Sequence, residues 1–218
     1  MRVIFCLLFL AALTARAAPL ERDLGQGLAY GRVHRLPADL PGVTEKKPRA
    51  LVLDLRWATG DSAGATALDA WLKFRVSAAS PVLLLVNRAT ATAVAEMLAA
   101  RGSAAGLVTI GAASDKFTPD IAIDTTPEAE RTAYDALEHG AAVDALISDR
   151  PDEKPRHDEA ELARQHRNPA PVVDDSDSPE SAPAEKQPPP PPPVTDRALQ
   201  RAMHLHRALV ALRRLPPG

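Results

Sequence analysis

Residues 49–117 predict an α/β fold with a mainly parallel sheet, and three observations carry that prediction. Two uniformly apolar runs, Ala50-Leu51-Val52-Leu53-Asp54-Leu55-Arg56 and Pro81-Val82-Leu83-Leu84-Leu85-Val86-Asn87, are each followed by a stretch with helical spacing. A third run, Leu107-Val108-Thr109-Ile110, ends at Gly111. Strands this apolar, separated by helices, are what a parallel sheet covered on both faces requires. In such sheets chemistry collects where the carboxyl ends of strands turn into helices. The turns at 57–61 and 87–92 are therefore the first places to look for function.

The segments before and after that core have other characters. Arg2 supplies a positive n-region, Val3 to Leu13 an apolar run too short to span a bilayer, and Ala15-Arg16-Ala17 a small-x-small cleavage pattern. Residues 1–17 are thus expected to be a signal peptide, and the protein periplasmic or extracellular. Cys6 lies inside the apolar run and not behind it, so a lipid anchor is not expected. Cys6 is also the one cysteine in the sequence, and its loss with the leader removes disulfides, thiolate metal sites and thiol catalysis together. A net charge of −2 gives no electrostatic footprint for nucleic acid.

In chain order, Leu28 to Leu36 alternates and reads as a strand with one wet face, its arginines and His34 outward. Pro37 to Pro48 is a loop. Asp61 or Ser62 can cap a helix over about 63–76, whose stripe of Ala67, Leu68, Trp71, Leu72 and Phe74 is expected to face the core. A second helix runs from Thr92 to about Arg101, with Val94, Met97 and Leu98 inward and Gly102 ending it. Phe117 to Asp124 reads as a short strand. Thr126-Pro127-Glu128 then starts a third helix, carried through Tyr134 and Leu137 towards Leu146.

The α/β domain is expected to span 18–150, with a charged and Pro-rich linker over 151–195 and an amphipathic helix over 196–215. Six consecutive prolines, Pro188 to Pro193, make the linker an extended spacer that cannot bury a core. Asp196 is placed to cap the last helix, and Leu199, Met203 and Val210 share one of its faces; that face is expected to dock on the domain, the alternatives being another protein or an anionic membrane surface. No transmembrane span is expected in the mature chain. No metal is expected either: His157 and His166 stand in a solvated, charged segment without ligand spacing. No Gly-rich phosphate loop is present, and no cofactor is expected.

Several of these stretches together resemble a known family. They are Asp54-Leu55-Arg56 followed by Gly60, then Val86-Asn87-Arg88-Ala89-Thr90-Ala91-Thr92-Ala93 with Glu96, then Ile110-Gly111, then Thr118-Pro119-Asp120-Ile121. In order and spacing they look like the catalytic domain of the tail-specific (C-terminal-processing) serine peptidases, family S41, over about residues 28–147. The tail pieces Asp158 to Leu162 and Asp196 to Ala202 look like the end of such proteins. The resemblance implies a reduced crotonase/ClpP-like βαβ core. It also implies a nucleophile at Thr92, a general base at Lys116, and oxyanion donors at Gly60 and beside the nucleophile at Ala93. A lysine acts as base only where burial leaves it neutral.

Departures from the pattern sit in the same places. Thr92 stands where the family has serine, and its extra methyl restricts χ1 and crowds attack. The turn that should cradle an oxyanion reads Ala58-Thr59-Gly60-Asp61, bringing a carboxylate where negative charge would develop. Asp115 replaces a glycine before Lys116, and Phe117-Thr118-Pro119 follows the lysine at once. The expectation is an exported, catalytically impaired S41-like protein that binds or scaffolds a polypeptide or protein partner. The alternatives are an active serine-type-like peptidase using Thr92 and Lys116 on unstructured polypeptides, and a structural envelope protein tethered by the C-terminal helix.

Overall fold

In a computed structural model of the chain, residues 20–42, 49–148 and 194–215 are described. The leader expected over 1–17, His157, His166 and all but the last two residues of the 151–195 linker lie outside them. The elements are β1 (Glu21–Asp23), β2 (Leu28–Arg32), β3 (Ala50–Asp54), α1 (Ser62–Arg75), β4 (Val82–Val86), α2 (Thr92–Arg101), β5 (Leu107–Gly111), β6 (Ile121–Ala122), α3 (Pro127–Glu138), α4 (Val143–Ile147) and α5 (Arg197–Ala211). The fold is α/β. Its six strands lie in sequence order in one sheet, parallel throughout except that β1 pairs antiparallel with β2.

Strand alternation divides the apolar residues between two cores. Leu51, Leu53 and Leu55 with Val82, Leu84 and Val86 face α1 and α2, against Leu68, Trp71, Leu72, Val94 and Leu98. Val52, Leu83 and Leu85 face the other way, with Leu28, Tyr30 and Ile110, and are covered by Leu137 of α3, Leu146 and Ile147 of α4, and Leu199, Ala202 and Met203 of α5. β3 and β4 are therefore buried on both faces, which is why they are apolar at every position but Asp54.

Close approach requires glycine at several positions, Gly64 and Gly111 among them. A Cβ on Gly64 would stand 2.9 Å from Leu36 Cβ, so the first turn of α1 packs directly on the loop after β2. Gly111 has φ +149°, and a Cβ there would run into the Val86 carbonyl of the neighbouring strand.

The structure differs from the sequence expectation at four points. Phe74 is 74 % exposed and does not join the α1 stripe. It lies six residues on from Leu68, about 240° around the helix at roughly 100° per residue, away from the sheet. The strand expected over 28–36 stops at Arg32, and Arg32, expected to face outward, is buried, while Arg35 is exposed and His34 half-buried. The strand expected over 117–124 is only Ile121–Ala122. The third helix breaks at His139 and Gly140 (φ +92°) before α4 begins.

α5 is docked. Its buried residues Ala198, Leu199, Ala202, Met203 and His206 face the sheet, and His206 Nε2 lies 2.9 Å from the Gln26 carbonyl in the β1–β2 turn. No helix among the described residues is long and apolar enough to cross a membrane.

Candidate functional site at the carboxyl end of the sheet

β3 and β4 end side by side, and the loops that follow them are bonded together. The Ala91 N–H donates to the Ala58 carbonyl (3.2 Å), and the Thr90 hydroxyl donates to the Leu55 carbonyl (3.1 Å). Within the second loop, Asn87 Oδ1 accepts from the Ala89 N–H (3.0 Å) and Thr90 Oγ1 from the Asn87 N–H (3.0 Å). These bonds fix a tight turn and leave Thr92 as the first residue of α2, with Ala91 at the N-cap offering no side-chain acceptor. The loop carrying Gly60 thus runs alongside the loop that leads into Thr92 and Ala93, the first two residues of α2.

Lys116 sits on the loop after β5. Its side chain is 61 % exposed, and Nζ lies 3.8 Å from Glu96 Oε1. Glu96 is four residues beyond Thr92, so it shares that face of α2 one turn further on. Thr92 is itself exposed. A neutral lysine base needs a dry setting, and this amine is wet and beside a carboxylate. An open cleft of about 350 Å³ has Lys116, Phe117 and Asp120 on its wall, but neither Thr92 nor Gly60 lines it. Asp61 is the N-cap of α1, its Oδ1 accepting from the Gly64 N–H at 2.9 Å. Its carboxylate is thereby held in the turn after Gly60.

The densest chemistry lies beneath these loops, among residues that sequence reading left as strand and helix positions. Arg56 donates from Nε and Nη2 to Asp54 (3.0 and 2.8 Å) and from Nη1 and Nη2 to Asp196 (3.0 and 2.8 Å). The Tyr30 hydroxyl donates to Asp54 Oδ2 (2.7 Å) and accepts from Arg32 Nε (3.0 Å). Arg32 also donates from Nη2 to the Tyr134 carbonyl (3.0 Å), and its guanidinium lies 3.5 Å from the Tyr134 ring centroid. Trp57, at φ +56°, meets Tyr134 edge-on with centroids 4.6 Å apart, and Arg131 lies 5.1 Å from the Trp57 ring.

The electrostatics follow from burial and pairing. Burial pushes the Asp54 carboxyl up, but Arg56, Arg32 and the Tyr30 hydroxyl more than offset it and hold it below the usual carboxylate range. Burial pushes the Glu130 carboxyl up, and Arg56 only partly opposes it. Glu130 Oε2 lies 3.5 Å from Asn87 Nδ2, while Oε1 is buried, accepts no hydrogen bond among the described residues and stands 3.9 Å from Arg56 Nη1. Charges this dry and this tightly paired hold elements together; they are not open to a substrate. The one sequence signal for them was a pair of charged residues, Asp54 and Arg56, in an otherwise apolar strand. Among the described residues, no group of three His, Cys, Asp or Glu is arranged to hold a metal.

No family model matches the chain, and no curated protein matches it. Among solved structures, it is similar to a lipoprotein from Streptococcus agalactiae at 13 % identity, with a TM-score of 0.35. That match covers 46 % of this chain and 51 % of the lipoprotein, so the chain spans about half of that protein's length. A superposition this loose carries no argument about function.

Proposed function

We propose that this is an exported S41-like protein, impaired as a peptidase, that acts as a binding or scaffold protein for a polypeptide or protein partner. The observation that carries this reading is the setting of Lys116: a solvated amine beside Glu96, at the position where the resemblance requires a dry, neutral base. Two further features support it. Thr92 is exposed at an N-terminus with no side-chain cap, and the Asp61 carboxylate is fixed beside the turn that should receive an oxyanion. Each defect removes transition-state stabilisation, and in one catalytic centre they act on a single barrier.

The test is hydrolysis of an unstructured polypeptide by the purified full chain, with Thr92→Ala beside it. No turnover above background by either protein is expected. Turnover that disappears in Thr92→Ala would establish the alternative, a working peptidase with Thr92 as nucleophile and Lys116 as base.

A further inference from the structure

α5 is covered by the sheet on one side and cationic on the other. From Arg197 to Leu215 there are five arginines and no lysine, aspartate or glutamate, in a chain whose net charge is −2. At roughly 100° per residue, Arg197, Arg201 and Arg207 fall within about 120° of one another. They lie opposite the buried Leu199, Ala202 and His206, and all three are exposed. Arg213 and Arg214, also exposed, carry the charge past the end of the helix. The Arg213 N–H donates to the Val210 carbonyl and the Arg214 N–H to the Leu209 carbonyl, each at 2.9 Å. This closes the helix with Arg213 at φ +54°, a conformation that glycine usually supplies at such a position. Leu215 is buried behind the turn, while Leu212 stands 70 % exposed beside the two arginines.

Interactions within the fold do not account for this charge. Cations favour the carboxyl end of a helix dipole and are unfavourable at the amino end, where α5 begins with Arg197. Like charges four residues apart, as Arg197 and Arg201 are, repel. Arg197 donates to the Asp124 carbonyl (3.1 Å). Arg201, Arg207, Arg213 and Arg214 have no ion pair among the described residues. The carboxylate nearest in sequence, Asp196, is buried on Arg56.

We infer that the outward face of α5 is a docking surface for a membrane containing anionic phospholipid. Guanidinium forks match phosphate oxygens bidentately, and about four to eight basic residues clustered on an amphipathic helix are a signature of anionic-lipid binding. The 15 residues of α5 make a rod about 22 Å long, enough to lay several guanidiniums on one plane of headgroups. Leu212 adds an apolar side chain that enters the boundary between headgroups and acyl chains. An acidic polypeptide would match the charge but offer that leucine little to pack on, so the lipid surface fits better. The apolar face of α5 is already covered by the sheet, so attachment is peripheral, electrostatic and sensitive to salt. This inference is independent of the peptidase-like reading, which concerns the carboxyl end of the sheet.

The experiment is co-sedimentation of the full chain with phosphatidylcholine vesicles, either pure or containing about a third phosphatidylglycerol. Residues 1–17 are the same in every arm, so the readout is the preference for the anionic vesicles. That preference is expected to be about tenfold or more at low salt, and to vanish near 1 M salt, where the Debye length shrinks to about 3 Å. Each arginine at such a surface contributes about fivefold in binding. Arg201→Gln, Arg207→Gln, Arg213→Gln and Arg214→Gln together should therefore weaken binding to the anionic vesicles by about a hundredfold or more. If that variant does not fold, Arg201→Gln with Arg207→Gln repeats the test, with a loss of about twentyfold expected. Three results would overturn the proposal: equal binding to the two kinds of vesicle, undiminished binding by the variant, and binding of poly-glutamate with none to vesicles, which would assign the face to an acidic polypeptide.

Discussion

Asp54 is the buried carboxylate at the centre of the network. It lies in a strand buried on both faces, and it accepts from Arg56, from the Tyr30 hydroxyl and from the Arg56 N–H (3.1 Å). Removing one member of such a set leaves a buried charge uncompensated, which costs about 3–5 kcal/mol, far above an exposed ion pair. Asp54→Asn is therefore expected to lose stability on that scale in urea denaturation of the full chain. A loss below about 1 kcal/mol would mean that the guanidinium is solvated and the network is not dry. The Lys116–Glu96 pair is the contrast: both side chains are more than half exposed, so Glu96→Gln should leave stability within about 0.5 kcal/mol of the wild type.

At the scale of elements, α1 separates packing from composition. Leu72 is buried against the sheet while Phe74, two residues on, is exposed. Leu72→Ala should cost about 2–5 kcal/mol by the same denaturation measurement. Phe74→Ser should change stability by no more than about 0.5 kcal/mol; a loss of core size would mean that the α1 register differs from the one described. The same contrast explains what the sequence made legible. β3, β4 and β5 could be read because burial on both faces leaves a local apolar run. Asp196, and Asp61 as one of two candidates, could be read as caps because a cap bonds to its own helix, to Leu199 and Gly64. Arg32 could not be read as buried, because the α3 partners that cover it, Tyr134 and Glu138, lie more than a hundred residues away. The pairing of Arg56 with Asp196, 140 residues apart, left no local trace either. For the candidate site, the sequence named Thr92, Ala93, Gly60 and Lys116; burial of the lysine, on which its chemistry depends, is a tertiary property that spacing does not encode.

Across the whole molecule, one network joins β2, β3, α3 and α5, so its titration is felt as global stability. Its two perturbed carboxylates act in opposite directions. Asp54 is held below its ordinary value in the folded chain, so its contribution is present above the unfolded aspartate range and is lost as the pH falls through its folded value. Glu130 is raised, so the folded chain binds its proton more tightly than the unfolded chain does. Its contribution is full below the ordinary glutamate value, which is about 4.3, and is lost as the pH rises from there through the folded value. Melting temperature should therefore climb out of strong acid as Asp54 ionises, and then lose ground once Glu130 is forced to ionise in a dry site. Glu130→Gln carries no proton to lose, so it should follow the wild type on the first limb and rise above it on the second. Calorimetric melting of the two proteins across that range checks this. A melting-temperature difference that stays constant with pH would mean that Glu130 ionises as freely in the folded chain as in the unfolded one, with solvent or Arg56 already satisfying the oxygen that accepts no hydrogen bond here.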